Sequence, residues 1–416
     1  MKIVFMHQNI PGQYKHLARL FGADPKNEVY FVTKPKAVDI PGVNKVTYKL
    51  HREPVKTTHH YIQPLENAVL FGQAAARALL ELKKKGFTPD VICAHPGWGE
   101  ALYVKDVYPD VPLLNYFEFY YRATGSDVGF DPEIKIELND FCRIRTKNTN
   151  NLLSLESCDA GVSPTRWQRK QFPKEYLYKI SLIHDGIDTN IAVPDKNATL
   201  QLPNGKVLKR SDEVVTYVAR NLEPYRGFPI FMRAIPEICR LRPNAQIVIV
   251  GGDGVSYGRK LPKNETYRAK MLAEVKVDPA RVHFIGYLPY DKFLKVLQVS
   301  SAHVYLTYPF VLSWSMLESM SAGCLVIGSD TPPVTEVIAD GKNGLLVDFF
   351  SSKRIAERIN EVLSHKDQMA HIRRAARETI LERYELNNCL KKHIKLIRTL
   401  AGGKLPTMAN PIKIPA

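Results

Sequence analysis

The sequence predicts an α/β protein with two doubly wound parallel sheets that face a common cleft, and three observations predict this class. Short apolar segments alternate with amphipathic, helix-like segments along most of the 416 residues. Such alternation is typical of parallel sheets connected by helical crossovers. A polar, turn-rich stretch at residues 193–212 interrupts the alternation, which then starts afresh. The length also suits two domains better than one.

The first half of the chain begins with a strand, a glycine-containing loop and a helix. Apolar segments predict strands at residues 3–7, 28–33, 89–94, 111–116 and 179–183. A long amphipathic helix is predicted for residues 65–85, where apolar side chains recur at three- and four-residue steps. Three lysines followed by Gly86 form a helix end of the usual kind.

The second half repeats the pattern after a small hairpin predicted around the turn 203–205. Strands are predicted at 214–219, 245–250, 281–285, 302–306, 324–327 and 345–347, with helices at 228–240, 263–275, 291–298 and 313–322 and further charged helices over 352–400. We therefore predict one domain over residues 1–190 and a second over 191–375. The helices at 376–400 can cross back to the first domain, and residues 401–416 are expected to form a loose tail.

Composition excludes several classes of protein. No segment approaches the roughly 20 apolar residues of a membrane span, and the first apolar run is too short for a signal peptide. We therefore expect a cytoplasmic protein. The six cysteines contain no C-x-x-C pair, so neither a zinc ribbon nor a redox motif is predicted. Most of the net charge of +16 lies in residues 191–416, which suits an anionic ligand, an anionic membrane surface or solubility alone.

Two arginines follow the strand at 214–219, at the sheet edge where open α/β sheets bind ligands. Arg220 and Arg226 lie on one loop before a helix. Fixed cations beside free backbone N–H groups are typical of a diphosphate site, although two solvated surface arginines would give the same spacing. Gly252 follows the next strand and either admits a ligand close to the backbone or only forms a tight turn. Its surroundings lack the dinucleotide spacing G-x-G-x-x-G.

An acidic residue lies on the helix predicted at 313–322. Glu318 has Met316, Leu317 and Met320 as neighbours. A carboxylate is expensive to bury among apolar side chains unless something pairs with it, and ribose hydroxyls would do so. A surface acid on an amphipathic helix is the alternative.

The stretch from Tyr308 to Asp330, followed by Glu336 and the turn 341–344, resembles a known signature. It is similar to the C-terminal nucleotide-sugar signature of retaining glycosyltransferases of the GT-B fold, family-4 type. The resemblance covers most of residues 180–400 and is weaker over 1–180. It implies two Rossmann-like domains and transfer of a sugar from a UDP- or GDP-sugar to a glycan, lipid-linked or other hydroxyl acceptor. The nucleotide-sugar is a substrate, and no cofactor is expected.

The resemblance also implies residue roles in donor binding. Glu318 would hold the ribose hydroxyls, and Arg220 and Arg226 would hold the diphosphate, with Arg226 standing where the family usually has lysine. The remaining matches are the strand end that meets the base (Gly286, Tyr287 and Leu288) and the loop that faces the donor phosphates or the acceptor (Gly12 and Gln13).

Phe310 is one of the positions that depart from the family's pattern. The family has an acid eight residues before Glu318, where it contacts the donor sugar, and this chain has Phe310. Backbone N–H groups of Val311, Leu312 and Ser313 are expected to face the sugar or phosphate instead. The departure leaves open an alternative function, a GT-B-fold protein that binds a nucleotide or glycan without transferring it.

Two residues of the first domain are candidates for chemistry. Glu118 takes the place where the family commonly has a histidine, and a carboxylate there can stabilise charge at the anomeric carbon or accept the acceptor's proton. The alternative is a surface pair with Arg122. His95 lies beside glycines and Trp98, a setting that suits sugar contact, although a structural role is the alternative.

Metal, nucleic acid and membrane are the remaining partners to consider. The chain contains no Asp-x-Asp motif, so no required metal is expected. It has no nucleic-acid-binding motif, and nucleic acid is not expected as a partner. The basic helices at 371–398 either form a solvated face or hold the protein at the inner face of an anionic membrane.

Overall fold

The computed structural model describes residues 1–55 and 57–403, which divide into two compact units. The first unit comprises Met1–Asp185 together with the chain from Asn387 onward, and the second comprises Gly186–Leu386. The sequence analysis predicts the corresponding boundaries near residues 190 and 376. Residues 404–416, the greater part of the predicted loose tail, lie outside the described residues.

A seven-stranded parallel sheet forms the centre of the first unit, in the order β3-β2-β1-β4-β5-β6-β7. Its strands are β1 (Lys2–Met6), β2 (Glu28–Thr33), β3 (Asn44–Thr47), β4 (Val91–Ala94), β5 (Leu113–Tyr116), β6 (Ala160–Ser163) and β7 (Ile180–Leu182). The chain order reverses between β1 and β4, which are hydrogen-bonded neighbours. The carboxyl ends of β1, β4 and β5 therefore lie side by side, at the switch point where such sheets bind ligands.

Seven α-helices surround this sheet within the described residues. They are α1 (Lys15–Ala23), α2 (Gln63–Lys84), α3 (Val104–Val107), α4 (Leu138–Lys147), α5 (Thr149–Ser157), α6 (Arg166–Gln171) and α14 (Leu386–Ala401). Short 3₁₀ turns lie at Gly12–Tyr14, Pro96–Trp98 and Lys174–Lys179. The predicted helix at 65–85 is confirmed as α2.

Several elements of the first unit were missed by the sequence patterns, among them β3, α4 and β6. β3 lies within residues 34–60 and α4 within residues 120–150, two stretches for which no strand or helix was predicted. β3 is a short strand at the sheet edge without fully buried residues, so it lacks an apolar run. α4 is specified at its start by reciprocal side-chain caps from Glu137 and Asp140 rather than by an apolar stripe.

The second unit has its own six-stranded parallel sheet, in the order β12-β11-β10-β13-β14-β15. Its strands are β10 (Val214–Asn221), β11 (Gln246–Gly252), β12 (Val282–Phe284), β13 (Ala302–Tyr305), β14 (Val326–Ser329) and β15 (Leu345–Val347). The predicted hairpin is confirmed as the antiparallel pair β8 (Thr199–Gln201) and β9 (Val207–Lys209), with Leu200 opposite Leu208. Both leucines are buried against the sheet.

Helices cover both faces of the second sheet, as the alternating sequence pattern predicts. They are α7 (Phe228–Leu241), α8 (Tyr267–Glu274), α9 (Tyr290–Val299), α10 (Trp314–Ser321), α11 (Pro332–Thr335), α12 (Ser352–Ser364) and α13 (Ala370–Arg383), with a 3₁₀ turn at Pro224–Arg226. No helix among the described residues is long and apolar enough to cross a membrane.

Some of the basic residues of the second unit form hydrogen bonds inside that unit. Arg373 and Arg377 of α13 are half-buried, and they donate hydrogen bonds to the carbonyl oxygens of Ser301 and Ser321, each at 2.6 Å. Arg377 therefore fixes α13 against the end of α10, and Arg373 fixes it against the residue that precedes β13. They belong to neither the solvated face nor the membrane surface that the sequence of residues 371–398 suggests.

Candidate functional site

The charged residues of the predicted donor site lie at the end of one strand and on the segments that follow two adjacent strands. β10 and β13 are hydrogen-bonded neighbours, and the chain order reverses between them. Arg220 is near the end of β10, Arg226 ends the 3₁₀ turn that follows, and Glu318 lies on the helix after β13. The elements that meet at the switch point of the second sheet therefore carry Arg220, Arg226 and Glu318.

Arg226 is buried, with 7% of its surface exposed. Its Nη1 donates to Tyr305 Oη at 3.1 Å, Thr307 Oγ1 at 2.7 Å and the Val311 carbonyl oxygen at 3.0 Å. The guanidinium also lies 5.2 Å from the ring centroid of Tyr257. All of these partners are neutral, and within residues 1–55 and 57–403 Arg226 forms no ion pair. A buried cation without a counter-ion is costly, so this geometry favours an anionic ligand.

Arg220 has a different environment. It is exposed at the end of β10, and it forms no ion pair with any residue that the structure describes. The sequence treats the two arginines alike. In the structure Arg226 is buried, whereas Arg220 is exposed to solvent.

The start of α10 is held by the same hydrogen-bond network as Arg226. Ser313 caps the helix by accepting from the backbone N–H of Ser315, and its own N–H donates to Tyr305 Oη at 2.9 Å. Val311 is fixed through its carbonyl, and Leu312 is buried. The positive end of the α10 dipole and the Arg226 guanidinium are therefore joined through one tyrosine hydroxyl.

Phe310 is part of an aromatic cluster. Its ring lies 5.5 Å from that of Tyr225 and 5.1 Å from that of Tyr257, and only 5% of the residue is exposed. Tyr225 in turn stacks on Tyr308 at 4.7 Å. An acid at this position would be buried among rings, so the aromatic surroundings match the residue that the chain carries.

Glu318 is half-buried on α10 and has a partner that the sequence did not name. Tyr290 Oη donates to Glu318 Oε1 at 2.7 Å. Burial, and then the neighbouring carboxylate, raise the pKa of Tyr290 above its ordinary value. The phenol therefore stays protonated and able to donate at neutral pH. This hydrogen bond offsets part of the free-energy cost of half-burying the Glu318 carboxylate.

Glu223 is a buried carboxylate that sequence reasoning missed. It is fully buried and accepts hydrogen bonds from the backbone N–H groups of Ser256, Tyr257 and Gly258 at 3.0, 3.1 and 2.8 Å. These bonds fix the loop after β11, and with it the ring that lies beside Arg226. Its position in the sequence, between Arg220 and Arg226 on a strand-end loop, was the one available signal.

Gly252 is packed against the protein's own side chain. A Cβ atom there would lie 2.3 Å from ring atoms of Tyr287. The Tyr287 hydroxyl donates to Asn221 Oδ1 at 2.5 Å, while 66% of the residue is exposed. Gly286 adopts a φ of +66°, and Leu288 packs against the core under the hairpin. The close approach that Gly252 permits is therefore made by a tyrosine ring.

The predicted residues of the first unit also meet at a switch point. His95 follows β4 and Glu118 follows β5, and His95 Nε2 lies 3.8 Å from Glu118 Oε2. Gln13 Nε2 donates to Glu118 Oε1 at 3.2 Å. His95 is buried and stacks on Trp98 at 4.7 Å. Burial, and then the neighbouring His7, lower the pKa of His95 well below its ordinary value, so the imidazole is neutral.

Two observations bear on the remaining predictions for this unit. Arg122, the alternative partner of Glu118, donates to the carbonyl oxygen of Gln171 at 3.0 Å. Gly12 has a φ of +49°, and a Cβ atom there would lie 2.4 Å from the ring of His7. His7, which the sequence did not single out, thus lies in the centre of this cluster.

The two doubly wound units have the architecture of the GT-B fold. Solved structures of the same fold include HepE from Anabaena in complex with UDP and glucose, at a TM-score of 0.66, 15% identity and coverage of 96% of this chain and 100% of that one. Sucrose-phosphate synthase from Thermosynechococcus elongatus aligns at a TM-score of 0.71 and 15% identity over 97% and 100% of the two chains. These likenesses confirm the predicted fold class.

Family comparisons give the narrower assignment. Residues 25–192 match the glycosyl transferase family 4 group, and residues 203–379 match the glycosyl transferases group 1. The chain therefore belongs to the group 1, family-4 type glycosyltransferases, as its sequence signature predicts. A relative is alpha-maltose-1-phosphate synthase from Mycolicibacterium smegmatis, 22% identical over 60% of this chain and 65% of that protein. The chain spans between about a third and two thirds of the length of the curated relatives it first matches.

Proposed function

We propose that this protein is a retaining glycosyltransferase that moves a sugar from a UDP- or GDP-sugar to a hydroxyl group of a glycan or lipid-linked acceptor. The observation that carries the proposal is the environment of Arg226, a buried guanidinium whose hydrogen-bond acceptors are all neutral. A diphosphate supplies the missing negative charge. Family membership supports the same assignment.

In the proposed reaction the bond between the anomeric carbon and the diphosphate breaks, and negative charge develops on the leaving oxygen. Arg226, Arg220 and the positive end of α10 stabilise this charge. Glu318 binds the ribose hydroxyls. Attack on the face that the diphosphate leaves gives retention, and the diphosphate helps to take the acceptor's proton. Glu118 and His95 bind the acceptor on the first unit.

The proposal is tested by incubating the protein with a panel of UDP- and GDP-sugars and acceptors and measuring released nucleoside diphosphate. Arg220→Gln should lower turnover about 10- to 100-fold, because it removes a charge-assisted contact to the leaving group. Arg374→Gln, an exposed arginine on α13, is the matched control and should leave turnover unchanged. Turnover should also persist in EDTA, and NMR of the product should show the donor's anomeric configuration. Equal turnover of Arg220→Gln and wild type would contradict the assignment.

The burial of Phe310 favours a second candidate function, binding of a nucleotide or glycan without transfer. This residue replaces the acid that contacts the donor sugar in the resembled family, and its ring is enclosed by two tyrosines. Calorimetry with UDP and GDP distinguishes the two functions. Binding without turnover across the acceptor panel would support the second, and turnover with any pair would exclude it.

Peripheral contact with an anionic membrane is a finer part of the proposal, and α14 supports it. Lys391, Lys392, Lys395 and Arg398 are exposed on this helix. Clustered cations near a surface contribute about 1 kcal/mol each to binding of anionic lipid. Co-sedimentation with vesicles should therefore require anionic lipid and should be lost when the three lysines are replaced by glutamate. Equal sedimentation of that variant would show that α14 is not the contact.

A further inference from the structure

His7, at the end of β1, has a fixed direction of hydrogen bonding. It is 3% exposed, and its Nδ1 accepts from the backbone N–H of Asn9 at 2.8 Å. Because a backbone N–H can only donate, the proton of the neutral ring is on Nε2. Burial lowers the pKa of His7 to about 4, so the ring is neutral at physiological pH. Nε2 lies 2.7 Å from Gln13 Oε1 and donates to it.

This bond determines which way the Gln13 amide points. Since Gln13 Oε1 accepts from His7, the amide nitrogen is on the opposite side, where it lies 3.2 Å from Glu118 Oε1. The chain of bonds therefore has one direction, from the Asn9 backbone through His7 and Gln13 to the carboxylate. A reversed amide would place two donors against each other at His7 and two acceptors against each other at Glu118.

The ring of His7 is also held in place sterically. Gly12 leaves no room for a side chain beside it, because a Cβ atom would lie 2.4 Å from the ring. The rings of His95 and Trp98 lie edge-on to it, each at a centroid distance of 5.0 Å. Rotation of the imidazole would collide with these neighbours, so the donor at Nε2 stays directed at Gln13.

His95 presents a second donor to the same carboxylate. Its Nδ1 accepts from the Gly97 N–H at 3.2 Å, so its proton is on Nε2 as well. That N–H is buried, has no hydrogen-bond partner among the described residues and lies 3.8 Å from Glu118 Oε2. Each oxygen of Glu118 is thus approached by an N–H group, Gln13 at Oε1 and His95 at Oε2. The two groups therefore restrict the orientation of the Glu118 carboxylate.

We propose that His7 and Gln13 are positioning residues, which hold the Glu118 carboxylate in the orientation that accepts a hydrogen bond from the acceptor's hydroxyl. Neither residue needs to touch the reacting atoms. The inference rests on the proposed function for its consequence in catalysis, whereas the hydrogen-bond relay itself can be measured without turnover. The chemical class recognised at this site is a hydroxylated acceptor.

The kinetic test uses variants that keep volume and remove donors. His7→Phe retains the ring, and Gln13→Met retains the length of the side chain. Each should lower kcat about 10- to 100-fold by loosening Glu118, with the donor KM and the Kd for UDP or GDP unchanged. The double variant should be no worse than either single variant, because both break one relay. His7→Gln, which keeps a donor, should recover part of the loss.

Additive losses in the double variant, or a raised donor KM, would indicate a structural role and overturn the inference. A second readout is independent of activity. ¹⁵N NMR of the histidine rings should show His7 protonated at Nε2, and both Gln13→Met and Glu118→Gln should shift signals along the relay. If wild type transfers no sugar, the proposed function fails while these spectra still decide the relay. Unchanged His7 and Gln13 signals in Glu118→Gln would contradict it.

Discussion

Arg226→Met is expected to abolish the stabilisation of this protein by nucleoside diphosphate while leaving the unliganded protein nearly as stable as wild type. In the unliganded protein the guanidinium is buried among neutral acceptors without a counter-ion. Replacing such a charge by an apolar side chain of similar length is often close to neutral, because the desolvation cost is removed with it. We expect the free energy of unfolding to change by no more than about 2 kcal/mol.

Binding should respond far more strongly than stability. Loss of a buried, charge-assisted contact to the diphosphate should raise the Kd for UDP or GDP about 100-fold, since buried pairs are worth roughly 3 kcal/mol or more. Titration calorimetry measures the Kd, and thermal unfolding with and without nucleotide measures the stabilisation. Arg226→Lys is the matched control, which keeps the charge and should bind within about tenfold of wild type. A nucleotide-induced shift in Tm that survives in Arg226→Met would exclude this residue from the site.

The difference between Arg220 and Arg226 illustrates what the sequence could not predict. Both follow the predicted strand at 214–219, and both were expected to hold the diphosphate. Only the folded chain brings Tyr305 and Thr307, some eighty positions later, against one of them. The expectation that the strand-end loops would carry the charged residues came from topology alone, because parallel strands share one carboxyl edge. Burial and partners depend on packing between loops that are distant in sequence.

Two glycines at strand ends also show that the sequence does not reveal which groups pack together. The sequence indicates that Gly252 and Gly12 lie where something approaches the backbone closely. It does not distinguish a ligand from a side chain of the protein itself. In both cases the structure places a ring there, that of Tyr287 and that of His7. Glycines at strand ends are therefore signs of close packing first, and only some of that packing involves a ligand.

Strands and helices were easier to predict than the side chains that hold the connecting loops in place. β11, predicted at 245–250 and observed at Gln246–Gly252, contains an unbroken apolar run over residues 247–250, and this pattern indicates both its position and its burial. Glu223 has no comparable pattern, because an acid beside a proline and a tyrosine reads as a surface loop. Its three backbone partners lie more than thirty residues further along the chain, and no local rule indicates that they converge on it.

That convergence makes Glu223 the residue with the largest expected effect on stability. Glu223→Ala leaves three backbone N–H groups without their acceptor at a fully buried position. Each unsatisfied buried donor costs roughly 1–3 kcal/mol, and after partial rearrangement of the loop we expect the free energy of unfolding to fall by about 3–5 kcal/mol. Because the loop carries Tyr257, whose ring lies beside the Arg226 guanidinium, the Kd for nucleoside diphosphate should rise as well.

Urea unfolding measures the stability of Glu223→Ala against two controls. Glu223→Gln keeps one acceptor oxygen and should lose less than half as much as Glu223→Ala. Glu265→Ala, an exposed acid on the segment that follows the same loop, should remain within about 0.5 kcal/mol of wild type. If Glu223→Ala unfolds at the same urea concentration as Glu265→Ala, the carboxylate is not what holds this loop. In that case the position of Tyr257 beside Arg226 must be set by its aromatic contact with Phe310.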